Sequence, residues 1–155
     1  MTIYLGSDNH GVAIKEQIKA LLDERSVEYE DFGTDGTVED ADFPDFAFPV
    51  AEAVRAAAAE GKDDVGIVIC GSGVGVDIAA NKVKGVRAAL AMNEYMARQS
   101  REHDNANVLA LAGKLLEEKD VPGIVNAFLD AKFDGIDRHA RRVRKIIDYE
   151  EQQYK

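Results

Sequence analysis

The sequence holds one cysteine, Cys70, at the end of a short apolar run, VGIVIC, and immediately before GSGVG. Glycines at 71, 73 and 75 let backbone approach a ligand closely, and a helix opening there presents unpaired N–H groups that favour negative charge. Such a loop can cradle an oxyanion or a phosphate, or it can be a tight strand-to-helix turn that binds nothing. A cysteine inside a strand is usually an inert small apolar residue. At the strand's last position, beside N–H donors that favour its thiolate, it becomes a candidate for proton transfer. Residues 71–76 read GSGVGV, which is not the dinucleotide fingerprint, and the first strand ends in none either.

Three further segments carry polar side chains suited to the same chemistry. SDNHG, residues 7–11, follows the first apolar run; Asp8 and His10 read as a helix cap and a surface imidazole, or as groups facing the crevice that holds Cys70. REHDNANV, residues 101–108, sets His103 among Asp104, Asn105 and Asn107. That density suits turn chemistry, and histidine also suits proton transfer near neutral pH. Arg138 and Arg142 are four apart and share a helical face, with His139 beside it; two converging guanidinium forks fit a phosphate. A cysteine base, an anion-stabilising loop, an imidazole and a phosphate clamp together describe one reaction. An aldose and its ketose interconvert through an enediolate as a base moves a proton between C1 and C2, and no cofactor or metal is required.

The elements that must position these groups are legible as alternating apolar and helix-period segments. TIYLG reads as a strand; VAIKEQIKALLDE aligns Val12, Ile14, Ile18, Leu21 and Leu22 on a helix; VEYEDFG reads as a second strand. PDFAFPVAEAVRAAAAE predicts a helix starting near Pro44, with Pro49 able to shift that start or kink it. VGIVIC has the composition of a central parallel strand buried on both faces. A helix over about residues 74–83, a strand VRAALA, a helix from about Asn93 to Glu102, a strand NVLALA and a helix from about Glu117 to Asp130 complete the alternation. The pattern predicts an open, doubly wound α/β domain with helices on both faces of a parallel sheet. RHARRVRKIIDYEEQQYK is helical in pattern but has no strand to cover, so it either packs across the domain or reaches a neighbouring subunit.

The length of 155 residues suits one domain, 1–155, with one core. A single thiol cannot form an internal bridge, which favours a reducing cytoplasm. The N-terminus lacks the pattern of a secretory signal, and no segment approaches a membrane span. A net charge of −10 argues against nucleic-acid and anionic-membrane partners. Against it, RHARRVRK at 138–145 concentrates positive charge; it is either a solvated helix face or a site for a small anion.

With these motifs assembled, the chain resembles the type B ribose-5-phosphate isomerases, in the superfamily that includes galactose-6-phosphate isomerase subunits. The likeness runs from GSD to DRHARRV and is carried most specifically by ICGSGVGVDIAANKVKGVRAAL. It implies a Rossmann-like three-layer α/β/α sandwich with a five-stranded parallel sheet and an extra C-terminal helix. It also implies a homodimer, in some members a tetramer, with active sites at the subunit interface and the final helix reaching the partner. By position, the resemblance makes Cys70 the base, with Ser72 beside it where threonine is common. Gly71, Gly73, Val74 and Gly75 would hold the enediolate, His103 would assist ring opening, and Asp8 would contact hydroxyls. Arg138, His139 and Arg142 would bind phosphate, with Lys114 where relatives often place an arginine, and Asn107 would shape the pocket. The departures fall among the contact residues. SDNHG puts Asn9 at a usual histidine position and His10 one later; DFPDF puts Phe43 where a tyrosine is usual; HDNAN exchanges amide and carboxylate at Asp104 and Asn105; Asp137 replaces a glycine. Ribose 5-phosphate is the leading expected substrate, followed by a tetrulose, allose or galactose phosphate. A non-catalytic phosphosugar-binding subunit and a nucleotide-binding oxidoreductase are the alternatives from other classes.

Overall fold

The computed structural model describes residues 1–154. Its strands are β1 (Ile3–Ser7), β2 (Tyr29–Asp31), β3 (Val65–Cys70), β4 (Ala88–Leu90) and β5 (Val108–Ala112). Its helices are α1 (Val12–Glu24), α2 (Pro44–Ala59), α3 (Val74–Ala80), α4 (Glu94–Asp104), α5 (Val121–Asp130) and α6 (Asp137–Gln153). Every strand pairing is parallel, in the order β2-β1-β3-β5-β4, as the alternation predicts.

The side-chain period of a strand divides the core into two layers. In β3, which is buried along its whole length, Ile67 and Ile69 join Ile14, Ile18, Ile124 and Phe128 under α1, α4 and α5. Val68 and Cys70 face the other way, toward Val50, Val54, Val76 and Ala80 of α2 and α3. The second layer is thin because glycines line it. A Cβ on Gly66 would lie 2.6 Å from Val50 Cγ1, and one on Gly6 would strike the Phe46 carbonyl. α2 therefore lies flush on the sheet. It starts at Pro44 and continues through Pro49 without restarting.

Local hydrogen bonding accounts for the shorter elements. The helix expected to reach residue 83 ends at Ala80, since the Asn81 side chain donates to Ala88 O at 3.0 Å and accepts from Ala88 N at 2.9 Å. The amide thus stands in for a neighbouring strand on the free edge of β4, which spans Ala88–Leu90 and not all of 86–91. A 3-10 turn at Glu118–Asp120 takes the place of the first turn expected for α5. The C-terminal segment forms α6, which crosses the N-terminal end of the sheet. Glu150 accepts from Gly85 N at 2.9 Å, and Tyr154 donates to Lys82 O at 3.0 Å. Only His139 and Val143 of α6 are buried. No helix among the described residues is long and apolar enough to cross a membrane.

Two charged side chains, the buried Lys15 and the half-buried Asp77, act in opposite directions. Lys15, 1% exposed, donates to Asp31 at 3.0 Å and to Thr34 O at 2.7 Å, tying α1 to the end of β2 and the loop beyond it. Asp77 on α3 has no such partner. Burial raises its carboxyl pKa, the Leu90 N–H offsets this only in part, and Oδ1 has no hydrogen-bond partner among the described residues. Removing one member of a buried pair leaves an uncompensated charge, so Asp31→Ala should cost roughly 3 kcal/mol in urea unfolding at pH 7. Asp77→Asn should do the reverse. A carboxyl raised on folding weakens the fold where it is ionised, and that penalty vanishes once the group is protonated in both states. The variant should melt a few degrees above the parent at pH 7, with the difference closing as pH falls toward about 4.

Candidate active site

The crevice of an open α/β sheet lies beyond the carboxyl ends of adjacent strands whose connections leave in opposite directions. Here those strands are β1, which leads outward to β2, and β3, which leads toward β4 and β5. The loops that leave them bring together one group of the residues singled out from the sequence. Asp8 is 7% exposed and accepts from His10 N at 2.9 Å, capping the turn Asn9–Gly11. Cys70, a free thiol only 5% exposed, ends β3 among the apolar residues of the α2–α3 layer. It is both the small core residue and the loop-head thiol that the sequence allows.

Close packing shapes the loop after Cys70. A Cβ on Gly71 would sit 3.3 Å from Lys114 Cδ and 3.5 Å from His10 Cδ2, so the Lys114 and His10 side chains flank this backbone. Gly73 has φ of 75°, and a Cβ there would be 2.5 Å from Leu90; only glycine fits. A Cβ on Gly75 would be 2.8 Å from the ring of Phe43, which α2 carries in from the far side. Val74 is 48% exposed, and its N–H reaches Ser72 Oγ only at 3.3 Å. The N–H groups of Gly71, Ser72 and Gly73 find no acceptor among the described residues. Asn9 turns elsewhere: its amide donates to Val38 O at 2.6 Å, and with Asp8, His10, Asp40 and Ala41 it lines a concavity of about 150 Å³.

The remaining residues lie at the opposite end of the sheet. His103 is in the last turn of α4, which ends at Asn105 in the left-handed conformation, φ 51°. His103 stacks on His139 with ring centroids 4.0 Å apart. Asp134, in the loop between α5 and α6, contacts His139 Nδ1 at 3.0 and 2.8 Å and lies 3.9 Å from His103 Nε2. Burial raises the Asp134 carboxyl, but His139 and the Ile136 N–H outweigh it and hold Asp134 below the usual value. Arg138 donates from Nε to His139 Nε2 at 3.2 Å. Arg142 is exposed one turn further along α6, and Asp137 opens that helix. Asp104 is exposed beside a concavity of about 390 Å³ that includes Arg87, Ile146 and Glu150. Asn107 uses its amide on the β4 lead-in, accepting from Arg87 N at 2.7 Å and donating to Gly85 O at 2.9 Å.

Within one chain, residues 101–108 therefore do not share the crevice of Cys70. That segment leads into β5, and in a parallel sheet the loops that lead into strands lie opposite those that leave them. β3 pairs with β5 from Gly66↔Val108 to Cys70↔Ala112, a four-residue step of roughly 13 Å. His103, Asp134 and His139 each offer a ligand atom within 4.8 Å of the others, a spacing open to a cation. Asp134 already engages His139, however, and the Arg138 guanidinium against that ring opposes further positive charge. Sequence reading passed over Asp134, whose only signal is the Asp-Gly turn just before the RH pair.

A sequence model of the Ribose/Galactose Isomerase family matches residues 3–146. The solved structure of ribose-5-phosphate isomerase B from Clostridium thermocellum is 47% identical, with all of each chain covered and a TM-score of 0.90. That of the Mycoplasma genitalium ribose-5-phosphate isomerase B with bound ribulose 5-phosphate is 45% identical, covering 97% of this chain and 96% of the other, with a TM-score of 0.90. D-erythrulose-4-phosphate isomerase of Pectobacterium atrosepticum is 35% identical over 99% of this chain and 97% of its own. Fold, coverage and the glycine loop after β3 agree: the chain belongs to the ribose/galactose isomerase family.

Proposed function

We propose that this protein interconverts the aldose and ketose forms of a phosphorylated sugar, ribose 5-phosphate and ribulose 5-phosphate, with the whole of residues 1–155 as one isomerase domain. The observation that carries the reading is Cys70 at the C-terminal end of β3, next to backbone N–H groups at 71–73 that no acceptor among the described residues claims. The thiolate removes the C2 proton of the open-chain aldose. The C–H electron pair forms the C1=C2 bond, and the carbonyl electrons move onto O1, where the loop N–H groups and the Ser72 hydroxyl stabilise the charge. The thiol then returns that proton to C1 while the O2 proton passes to O1, leaving the ketose carbonyl at C2. No redox partner is consumed. Asp8 and His10 flank the sugar, Phe43 closes on Gly75, and Lys114 adds positive charge near Gly71.

On this reading the second group, His103 with Arg138, His139 and Arg142, acts in the site of a partner copy in a homodimer. Support comes from the separation of the two groups within one chain, and from the exposed Ile146 and Tyr149 on α6, 53% and 66% accessible. His103 would assist ring opening and the arginines would hold the phosphate. The proposed chemistry needs Cys70 as a free thiol, which favours a reducing compartment, the cytoplasm. A second reading, the same chemistry on a tetrulose phosphate, is favoured by the Pectobacterium relative and by Phe43, which has no hydroxyl to offer a longer sugar.

Cys70→Ala should lower kcat for ribose 5-phosphate by about a thousandfold while leaving inorganic phosphate binding unchanged; unaltered turnover would refute the cysteine mechanism. A higher kcat/KM for erythrulose 4-phosphate than for ribulose 5-phosphate would decide for the second reading. Mixing Cys70→Ala chains with His103→Ala chains tests the shared site. Each variant alone should be inactive, but random reassortment gives heterodimers with one intact site, restoring about a quarter of parental activity. No recovery after exchange of subunits would sink the dimer.

A further inference from the structure

We propose that Asp134 is the positioning residue that orients Arg138 toward the substrate's phosphate, acting through His139. Its kinetic consequence rests on the isomerase reading given above; its structural consequence does not. Asp134 is fixed before it touches either histidine. Its N–H donates to Glu102 O at 3.0 Å, and its Oδ1 accepts from Ile136 N at 3.0 Å. The carboxylate is thereby pinned between the end of α4 and the start of α6. Both of its oxygens then lie within 3.0 Å of His139 Nδ1.

The chemistry of donors and acceptors gives this contact a direction. An ionised carboxylate only accepts, so the hydrogen of His139 sits on Nδ1 and the Nε2 lone pair points outward. A guanidinium only donates, and Arg138 places its Nε–H on that lone pair at 3.2 Å. The Arg138–His139 contact therefore exists in one tautomer and fails in the other, where two N–H groups would meet. His139 is 2% exposed and stacked on His103, so its ring cannot swing away to relieve the mismatch. Arg138 is itself exposed and would otherwise sample many rotamers. With Nε held on the imidazole, its terminal nitrogens are presented away from the ring, prepared for a bidentate phosphate contact. The same carboxylate lies 3.9 Å from His103 Nε2. A single acid thus underlies both the imidazole assigned to ring opening and the guanidinium assigned to phosphate.

The test compares Asp134→Asn and Asp134→Glu with the parent by ¹⁵N-histidine NMR, by affinity for inorganic phosphate and by kinetics on ribose 5-phosphate. The parent should hold His139 as the Nδ1–H tautomer. Asparagine can still accept from Ile136 N through Oδ1, but its NH2 replaces the nearer Oδ2 and competes for Nδ1, so His139 should shift toward the Nε2–H tautomer. Phosphate affinity should then fall and KM rise by roughly tenfold, with kcat changed less. Glutamate should restore the tautomer and most of the affinity. A parental His139 protonated on Nε2 overturns the proposal without any variant, including the case in which Asp134→Asn fails to fold. So does a variant whose tautomer changes while KM and phosphate affinity stay within twofold of the parent. If the parent turns over no ribose 5-phosphate, the isomerase reading falls, and the tautomer and phosphate measurements still decide the role of Asp134.

Discussion

The common direction of the five strands is the constraint on which everything else in this molecule depends. A parallel sheet has two chemically different ends, and each functional side chain is committed to one of them by whether its loop leaves a strand or leads into one. Cys70 ends a strand, and Asp8, His10 and Lys114 follow strands. His103 and Asn107 precede one, and α6 begins beside them. No rotamer change bridges the length of β3. Under the proposed function, which needs both an enediolate base and a phosphate clamp, one of the two groups would have to come from another copy. In the proposed homodimer a two-fold partner would supply the exchange at no extra cost in sequence, since each copy would lend what it borrows. The charge pattern agrees: α6 concentrates arginines in a chain whose net charge is −10, so its basic face is drawn to the rest of an acidic molecule.

Packing fixes the crevice more finely than topology does. Gly6 and Gly66 let α2 settle on the sheet, and the depth of that contact sets how far Phe43 reaches over Gly75. The same flush layer buries Cys70 among valines and alanines. Burial of the thiol and openness of the neighbouring N–H groups are complementary, because fixed dipoles act more strongly where water is excluded. Lys15 stabilises the other wall, anchoring the residues after β2 from below through Asp31 and Thr34 O.

Much of this was legible in the sequence because it depends on local pattern. The doubly apolar VGIVIC could be little other than a central strand, and of the three glycines after Cys70, Gly73 and Gly75 each meet a neighbour that forbids a side chain. Boundaries were less legible where a side chain from elsewhere in the chain decides them, as when Asn81 replaces a strand neighbour for Ala88. The site was half legible. Residues 101–108 were recognisable by type, but their end of the sheet follows from strand direction, which demands attention to whether a loop leaves or enters. Asp134 was invisible because its importance lies in what it touches. An Asp-Gly turn is common, and only the fold brings it against His139.

The departures from the family pattern follow the same logic of what each position must do. Asn9 occupies a usual histidine position, yet its amide is taken up by Val38 O and holds the loop that walls off the 150 Å³ concavity beside Asp8. The imidazole has moved one residue on, and His10 lies against Gly71. The position has been traded, not emptied. Phe43 differs in kind: its ring still packs on Gly75, so the shape of the crevice is kept while one hydroxyl is lost. A tight sugar site discriminates mainly by leaving buried polar groups unpaired when a substrate lacks their partner. In the proposed site, phenylalanine at 43 offers no such group, so it would relax selection against shorter sugars while leaving Cys70 and its loop as they are. In the proposed function reaction type and substrate choice thus fall on different residues: the reaction set keeps Cys70 and its glycines and a hydroxyl at Ser72, while Asn9 and Phe43 change the groups offered to the sugar.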